Sequence, residues 1–436
     1  PYYQGEITKI DMDGLYLEMQ VPDRYDVPKT GVYDPDLCKF GRSFWVTGEN
    51  RMGDGAHLNI RKTEQIGDDE YAIRVYFNND LSTTDRTLNE TADLQYSKDN
   101  NASHYIIPHI EFGMASNYRR VNYSYVGYST RVKMSNIHTQ SICHIGYTVA
   151  GNYGPVTFTN ADALAPDREN DLHVCWRDLW HVWGNRYGIM NEDGDYDGGL
   201  VYDDLFSPHM KIPIVEAVNG NTVLLKSKPG EEAPFYVDTS LWKVNDWVSF
   251  WNVDQTIFHG MARITDVSPG SSGSYIYVTT DRDLGIQPGS YAINEETLNR
   301  DMVVRNCHTT PQGRIIACRL RTTILFKDCN FQNIHLYTYC GEPWRPRPRN
   351  MVFDNCYINE TVSFKFVDTW NAVVKNCTVN GAAMELDNCN EMIIDSIYWT
   401  NTSGNAINAR NNSHAYVFGD YSWNGDSDIV PDKCYK

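Results

Sequence analysis

The stretch Asn191-Glu192-Asp193-Gly194-Asp195-Tyr196-Asp197-Gly198-Gly199 holds four carboxylates within nine residues. Two chemistries fit that spacing. On an extended strand, residues i and i+2 face the same way, about 6.6 Å apart. Asp195 and Asp197 then form the carboxylate pair that hydrolysis of an acetal needs, one protonated to assist the leaving group and one ionised. A gap of roughly 6.5–9.5 Å leaves room for a water and predicts inversion at the reacting carbon. Asp171 precedes Asp195 by 24 residues (195 − 171) and supplies a third carboxylate if the chain coils with about that period. Asp203 with Asp204 is an alternative pair. In the second reading, Asp193-x-Asp195-x-Asp197-Gly198 opens a calcium loop with Asp204 at its twelfth position. The flanking helices of an EF-hand are missing. An acidic, solvated turn is the remaining option.

Other residues could serve the same site. His173 follows Asp171 by two, so both face one side of a strand; it either bonds a sugar hydroxyl or is structural. Arg314, Arg319 and Arg321 surround Cys318. Outward arginines fix hydroxyls or orient a carboxylate through a bidentate pair, or else form a solvated face. Trp344 follows Glu342 in a turn rich in arginine, at Arg345, Arg347 and Arg349, and offers a stacking platform.

The bulk of the chain narrows the ligand. Its net charge of −18 repels phosphate backbones, which argues against a nucleic-acid partner. Neutral sugars and cations are compatible with it. Aromatic residues make up 13% of the chain, with 29 tyrosines and 11 tryptophans. Aromatic faces stack on sugar rings, and asparagine and aspartate bond hydroxyls. A glycan or polysaccharide is the expected partner. No window approaches the roughly 20 apolar residues of a membrane span. Hydrolysis of this kind requires no cofactor, and calcium is the one cation the loop suggests. The chain opens Pro1-Tyr2-Tyr3 without a signal peptide, as expected of a processed or trimmed product. A secreted, periplasmic or cell-surface location is expected, and homo-oligomerisation stays open.

The elements that must position these residues announce themselves in the last third. Met302-Val303-Val304-Arg305-Asn306-Cys307 recurs as Ile324 to Cys329, Met351 to Cys356 and Ala372 to Cys377. The cysteines (307, 329, 356, 377) stand 22, 27 and 21 residues apart, the coil length of a parallel β-helix. Cysteine suits a dry internal ladder, and the Asn or Asp before it suits a bend. None of the 11 cysteines forms a CxxC pair, so a zinc site is not expected. Cys340, Cys389 and Cys434 are candidates for pairing. Between Ile212 and Val278, hairpin signals such as Asn219-Gly220-Asn221 predict a small antiparallel barrel. The expected fold is all-β: a right-handed parallel β-helix with an inserted barrel. Its parts are a β-rich region over 1–100, holding a small barrel and a first coil, helix coils with the acidic loop over 101–208, the barrel over 209–298 and closing coils over 299–436.

This order of parts resembles glycoside hydrolase family 110. The matching stretches are Gln4-Gly5-Glu6-Ile7, Asn170-Asp171-Leu172-His173, Gly194-Asp195-Tyr196-Asp197-Gly198, Arg314 through Arg321 and Glu342-Pro343-Trp344. The resemblance implies an inverting α-1,3-galactosidase with Asp171, Asp195 and Asp197 as its catalytic trio. Tyr196 separates Asp195 from Asp197, where the family's loop reads Gly-Asp-Asp. A polysaccharide lyase and a non-catalytic, tailspike-like adhesin are the alternatives.

Overall fold

The computed structural model describes residues 2–23, 60–77, 103–108, 124–164, 173–209, 212–227, 240–252, 257–309, 313–336 and 350–425, with short gaps inside some ranges, and a few residues between them. Every regular element among these residues is a β-strand, so the chain is all-β as expected. Near the N-terminus, Tyr2–Asp11 pairs antiparallel with Tyr16–Gln20. Asp69–Phe77 and Ile60–Ile66 extend it on one side and His104–Pro108 on the other.

A parallel β-helix follows. Its longest sheet stacks nine strands, among them Val132–Thr139, Val156–Ala163, Ile189–Glu192, Met302–Arg305, Ile324–Lys327, Met351–Asp354 and Val373–Lys375. Alternation decides what each strand buries. Met302 and Val304, Ile324 and Phe326, Met351 and Phe353 point inward, while their neighbours face out. Parallel stacking puts like residues one above another. Tyr147 stacks on Trp180, Trp180 on Phe206 and Phe326 on Phe353, at centroid distances of 4.2, 6.2 and 4.8 Å. Phe206 meets Phe326 edge-on at 6.0 Å, which makes the aromatic column continuous.

The corner after this sheet carries the repeat. Asn136, Asn160, Asp193, Asn306, Asp328, Asn355 and Asn376 all adopt φ between 50° and 58°. Asn and Asp tolerate this left-handed conformation better than other side chains. Their side chains also bond from coil to coil: Asn160 Nδ2 donates to Asn136 Oδ1 at 2.9 Å, and Asn355 Nδ2 to Asp328 Oδ1 at 2.7 Å. The next residue turns inward and forms the cysteine ladder. Cys307, Cys329, Cys356 and Cys377 are buried free thiols, as the repeat predicted. Cys389 is also free and buried, on a different face, and Cys340 and Cys434 lie outside the described residues.

The barrel closes in the order Ile214–Asn219, Thr222–Lys226, Tyr275–Thr280, Phe258–Pro269, Trp247–Trp251, Tyr291–Asn294. Gly220, at φ 59°, makes the tight turn that joins its first two strands. The barrel interrupts the helix between Asp204–His209 and Met302–Arg305, yet the stack does not register the interruption. Met190, Asn191 and Glu192 pair directly with Val303, Val304 and Arg305. Three fully buried amides bridge the gap. Asn152 Nδ2 donates to Asn185 Oδ1 at 2.9 Å, and Asn185 Nδ2 donates to Asn299 Oδ1 at 2.7 Å. Asn185 also receives the Asn152 backbone N–H and donates to the Val149 carbonyl. All four hydrogen-bonding positions of its amide are thereby used. On the barrel side, Leu241 and Trp242 join Ala150 and Trp183 in one buried cluster, and Arg186 clamps Asp246 with both Nη atoms at 2.9 and 2.7 Å.

Two outcomes test this account. All five described thiols are buried out of reach of a bulky reagent, and burial pushes that of Cys389 up to about 11. Mass-mapped alkylation with a maleimide should leave Cys307, Cys329, Cys356, Cys377 and Cys389 unmodified until denaturant is added. Replacing Asn185 with Ala orphans buried partners on both flanking coils, at about 1–3 kcal/mol per orphan. Urea unfolding of Asn185→Ala should show a loss of at least about 3 kcal/mol.

Candidate functional site

The acidic loop runs across the helix corner, and the register fixes what its members do. Thr159 pairs with Glu192. Counting onward, Asn160 matches Asp193, Ala161 matches Gly194 and Asp162 matches Asp195. Asp193 is therefore a corner residue, at φ 58°. Its Oδ1 accepts from Asn306 Nδ2 at 2.7 Å, the same bond that Asp328 takes from Asn355. Gly194 occupies the cysteine column. A Cβ there would run into the Tyr196 hydroxyl, so the large ring dictates the glycine. Tyr196 itself is core: it meets Trp180 and Phe206 edge-on at 6.3 and 5.9 Å. Full burial, the largest cause, raises its phenol well above the usual range.

Asp195 lies on the strand Asp195–Tyr196, and with Tyr196 inward its side chain faces out. It stands in an outward column. His138 pairs with Asp162; by the count above, Asp162 is followed by Asp195. Asp195 pairs with His308, His308 with Asn330, Asn330 with Tyr357, Tyr357 with Thr378 and Thr378 with Tyr398. The column is thus His, Asp, Asp, His, Asn, Tyr, Thr, Tyr, one residue per coil at about 4.8 Å per step.

Of this column the sequence reading had only Asp195; His138, Asp162 and His308 beside it escaped. Asp162 is buried, with 8% of its side chain exposed, against 58% for His138. Its Oδ2 lies 2.9 Å from His138 Nδ1 and its Oδ1 accepts the Asp195 backbone N–H at 3.0 Å. The carboxylate thus fixes the backbone that carries Asp195. His308 flanks Asp195 on the other side, and its own N–H donates to the Gly194 carbonyl at 2.9 Å. The signal was available: extending the strand Val156–Ala163 past its corner at Asn160 places Asp162 level with Asp195. A second histidine–carboxylate pair, His181 Nδ1 with Asp178 Oδ2, lies on another sheet near the barrel junction.

The other expected site residues distribute as follows. His173 begins the strand His173–Cys175 and pairs with Gly199. Asp171 and Asp197 lie outside the described residues; in sequence each stands two residues ahead of one of these paired strands. Arg314 pairs through its backbone with Asp204, on the sheet that continues the same coil. The side chains of His173, Asp204 and Arg314, and Arg319, Arg321 and Trp344 altogether, lie outside what is described. Among the described residues no group of three or more His, Cys, Asp or Glu side chains could hold a metal. Of the four expected calcium ligands only Asp193 and Asp195 have described side chains, and the Asp193 carboxylate serves the corner. Among the described residues no helix is long and apolar enough to cross a membrane.

No protein-family model matches the chain, and no curated protein matches it in sequence. Among solved structures, the Gp54 tailspike of Acinetobacter baumannii bacteriophage AP22, in complex with A. baumannii capsular saccharide, aligns over 81% of this chain and 70% of that one. The identity is 10% and the TM-score 0.15. A likeness of that size bears on neither fold nor function, which rest on the chain's own geometry.

The site makes a graded prediction. Asp162→Ala removes a buried carboxylate acceptor from the part-buried Asp195 N–H and should cost about 1–3 kcal/mol in urea unfolding. His138→Ala removes an exposed partner and should cost less than about 1 kcal/mol.

Proposed function

We propose that this chain is a carbohydrate-active β-helix protein that hydrolyses glycosidic bonds at Asp195. The observation that carries the reading is the outward column, in which a backbone-anchored carboxylate sits between histidine-bearing coils and runs on into exposed tyrosines. A rigid ladder suits such chemistry, because reacting groups must be held to a fraction of an ångström. The specific form we put forward is the one the family resemblance implies: release of terminal α-linked galactose with inversion. In that scheme Asp195 and a second carboxylate, Asp197 or Asp171, divide the work. One donates its proton to the glycosidic oxygen as the C–O bond breaks. The other takes a proton from the water that bonds the anomeric carbon from the opposite side. Asp162 is a positioning residue, since its oxygens already face the Asp195 N–H and His138.

That engagement also favours a second reading, a non-catalytic glycan-binding β-helix with Asp195 as a hydroxyl acceptor. A coupled galactose assay on a galactosyl-α-1,3-galactose substrate, with the product anomer followed by proton NMR, separates the two. The wild-type chain is expected to release galactose, and Asp195→Asn to fall by about 10²–10⁴-fold with an unchanged melting temperature. Full activity in Asp195→Asn would sink the catalytic assignment. Retained glycan binding with no turnover would establish the second reading. A chelator that lowers Tm would assign the Asp193–Asp204 loop to calcium.

A further inference from the structure

Beyond Asp195 the outward face continues for five coils, and its chemistry changes. After His308 come Asn330, Tyr357, Thr378 and Tyr398. Two positions further along each strand, a second outward column holds Asn359, Asn380 and Thr400. Phe331, Ile358 and Val379 lie between the two columns and are buried, which fixes both columns as outward. Seven neutral polar or aromatic side chains among the described residues therefore cover this face, and no Lys, Arg, Asp or Glu stands in either column over these coils.

Three features mark the face as a binding surface. Tyr357 is 38% exposed and Tyr398 69%, the most exposed large hydrophobic side chain among the described residues. Large apolar surface left in water is unfavourable unless something covers it. The rings sit two coils apart, about 9.6 Å, with the smaller Thr378 between them. The amides alongside are ordered: Asn380 Nδ2 donates to Asn359 Oδ1 at 2.6 Å, and Thr400 Oγ1 donates to Asn380 Oδ1 at 2.8 Å. Pre-ordered hydroxyl and amide groups next to spaced aromatic rings fit a chain of sugar rings, whose apolar faces and hydroxyl edges alternate.

We infer that this face binds an extended, uncharged glycan that runs along the helix axis from Tyr398 toward Asp195. The inference rests on the carbohydrate reading above and deepens it by naming the substrate class: a polymer or long oligosaccharide rather than a single terminal sugar. A uronate or sialate chain is disfavoured, since the two columns offer no cation to neutralise its carboxylates. The same absence counts against the lyase alternative.

The test is affinity gel electrophoresis of the full chain. The gels contain galactan, mannan, xylan or dextran as neutral probes and polygalacturonate or alginate as anionic ones. At least one neutral polymer should retard the wild-type chain. Tyr398→Ala should weaken retardation about tenfold, Tyr357→Ala/Tyr398→Ala should abolish it, and Tyr398→Trp should restore it. Melting temperatures serve as the folding control, which the exposure of Tyr398 makes undemanding. Retardation by anionic polymers alone, by none, or without loss in the tyrosine variants overturns the inference. Loss of hydrolysis in Asp195→Asn with binding unaffected by the tyrosines would remove the platform and leave the catalytic site. Tyrosine-dependent binding with Asp195→Asn fully active would do the reverse.

Discussion

A stacked coil can repeat only if its corner repeats, and here the corner demands a residue at φ near +55°. For most L-amino acids that conformation costs roughly 1–2 kcal/mol. Asparagine and aspartate lower the cost and return hydrogen bonds along the stack, as Asn160 does to Asn136 and Asn306 to Asp193. Everything else follows from this corner. It sets which residues turn inward as the cysteine ladder and which turn outward two places later. Asp193 shows how the constraint acts, because a residue that reads as a cation ligand in sequence also serves as a corner residue, at φ 58° with its Oδ1 accepting from Asn306.

The outward column inherits its precision from the same source. Hydrogen-bonded strands space its members evenly, and no loop flexibility intervenes between Asp162, Asp195 and His308. Asp162 adds a local lock, since its carboxylate holds the N–H of the residue it neighbours. A site built in this way gains pre-organisation from the backbone rather than from large side-chain networks. Its reach is set by the number of coils, so the carboxylates and the exposed tyrosines share one continuous face.

The inserted barrel illustrates how independent the stack is of chain continuity. Asn185 and Asn299 are 114 residues apart, yet their amides bond as if on consecutive coils. The barrel docks through Leu241, Trp242 and the Arg186–Asp246 pair, on a face other than the one carrying Asp195. Buried amides with every position satisfied make the seam specific, because any slip of one coil would orphan several of them at once.

The sequence alone determined the repeat. Coil period, corner residues, the cysteine ladder and the hairpin at Gly220 were all legible, because each depends on local backbone preference and on period-two burial. It also placed Asp195 in an extended segment. What it did not reveal is who stands beside Asp195. Asp162, which bonds its N–H, and His138, which bonds Asp162 in turn, come from 33 and 57 residues earlier (195 − 162, 195 − 138), and the exposed tyrosines of the column lie more than 150 residues downstream. Insertions of different length separate these coils, so no fixed spacing predicts the neighbours. Only the parallel register, set by hydrogen bonds between coils, brings a carboxylate, two histidines and two tyrosines into one line.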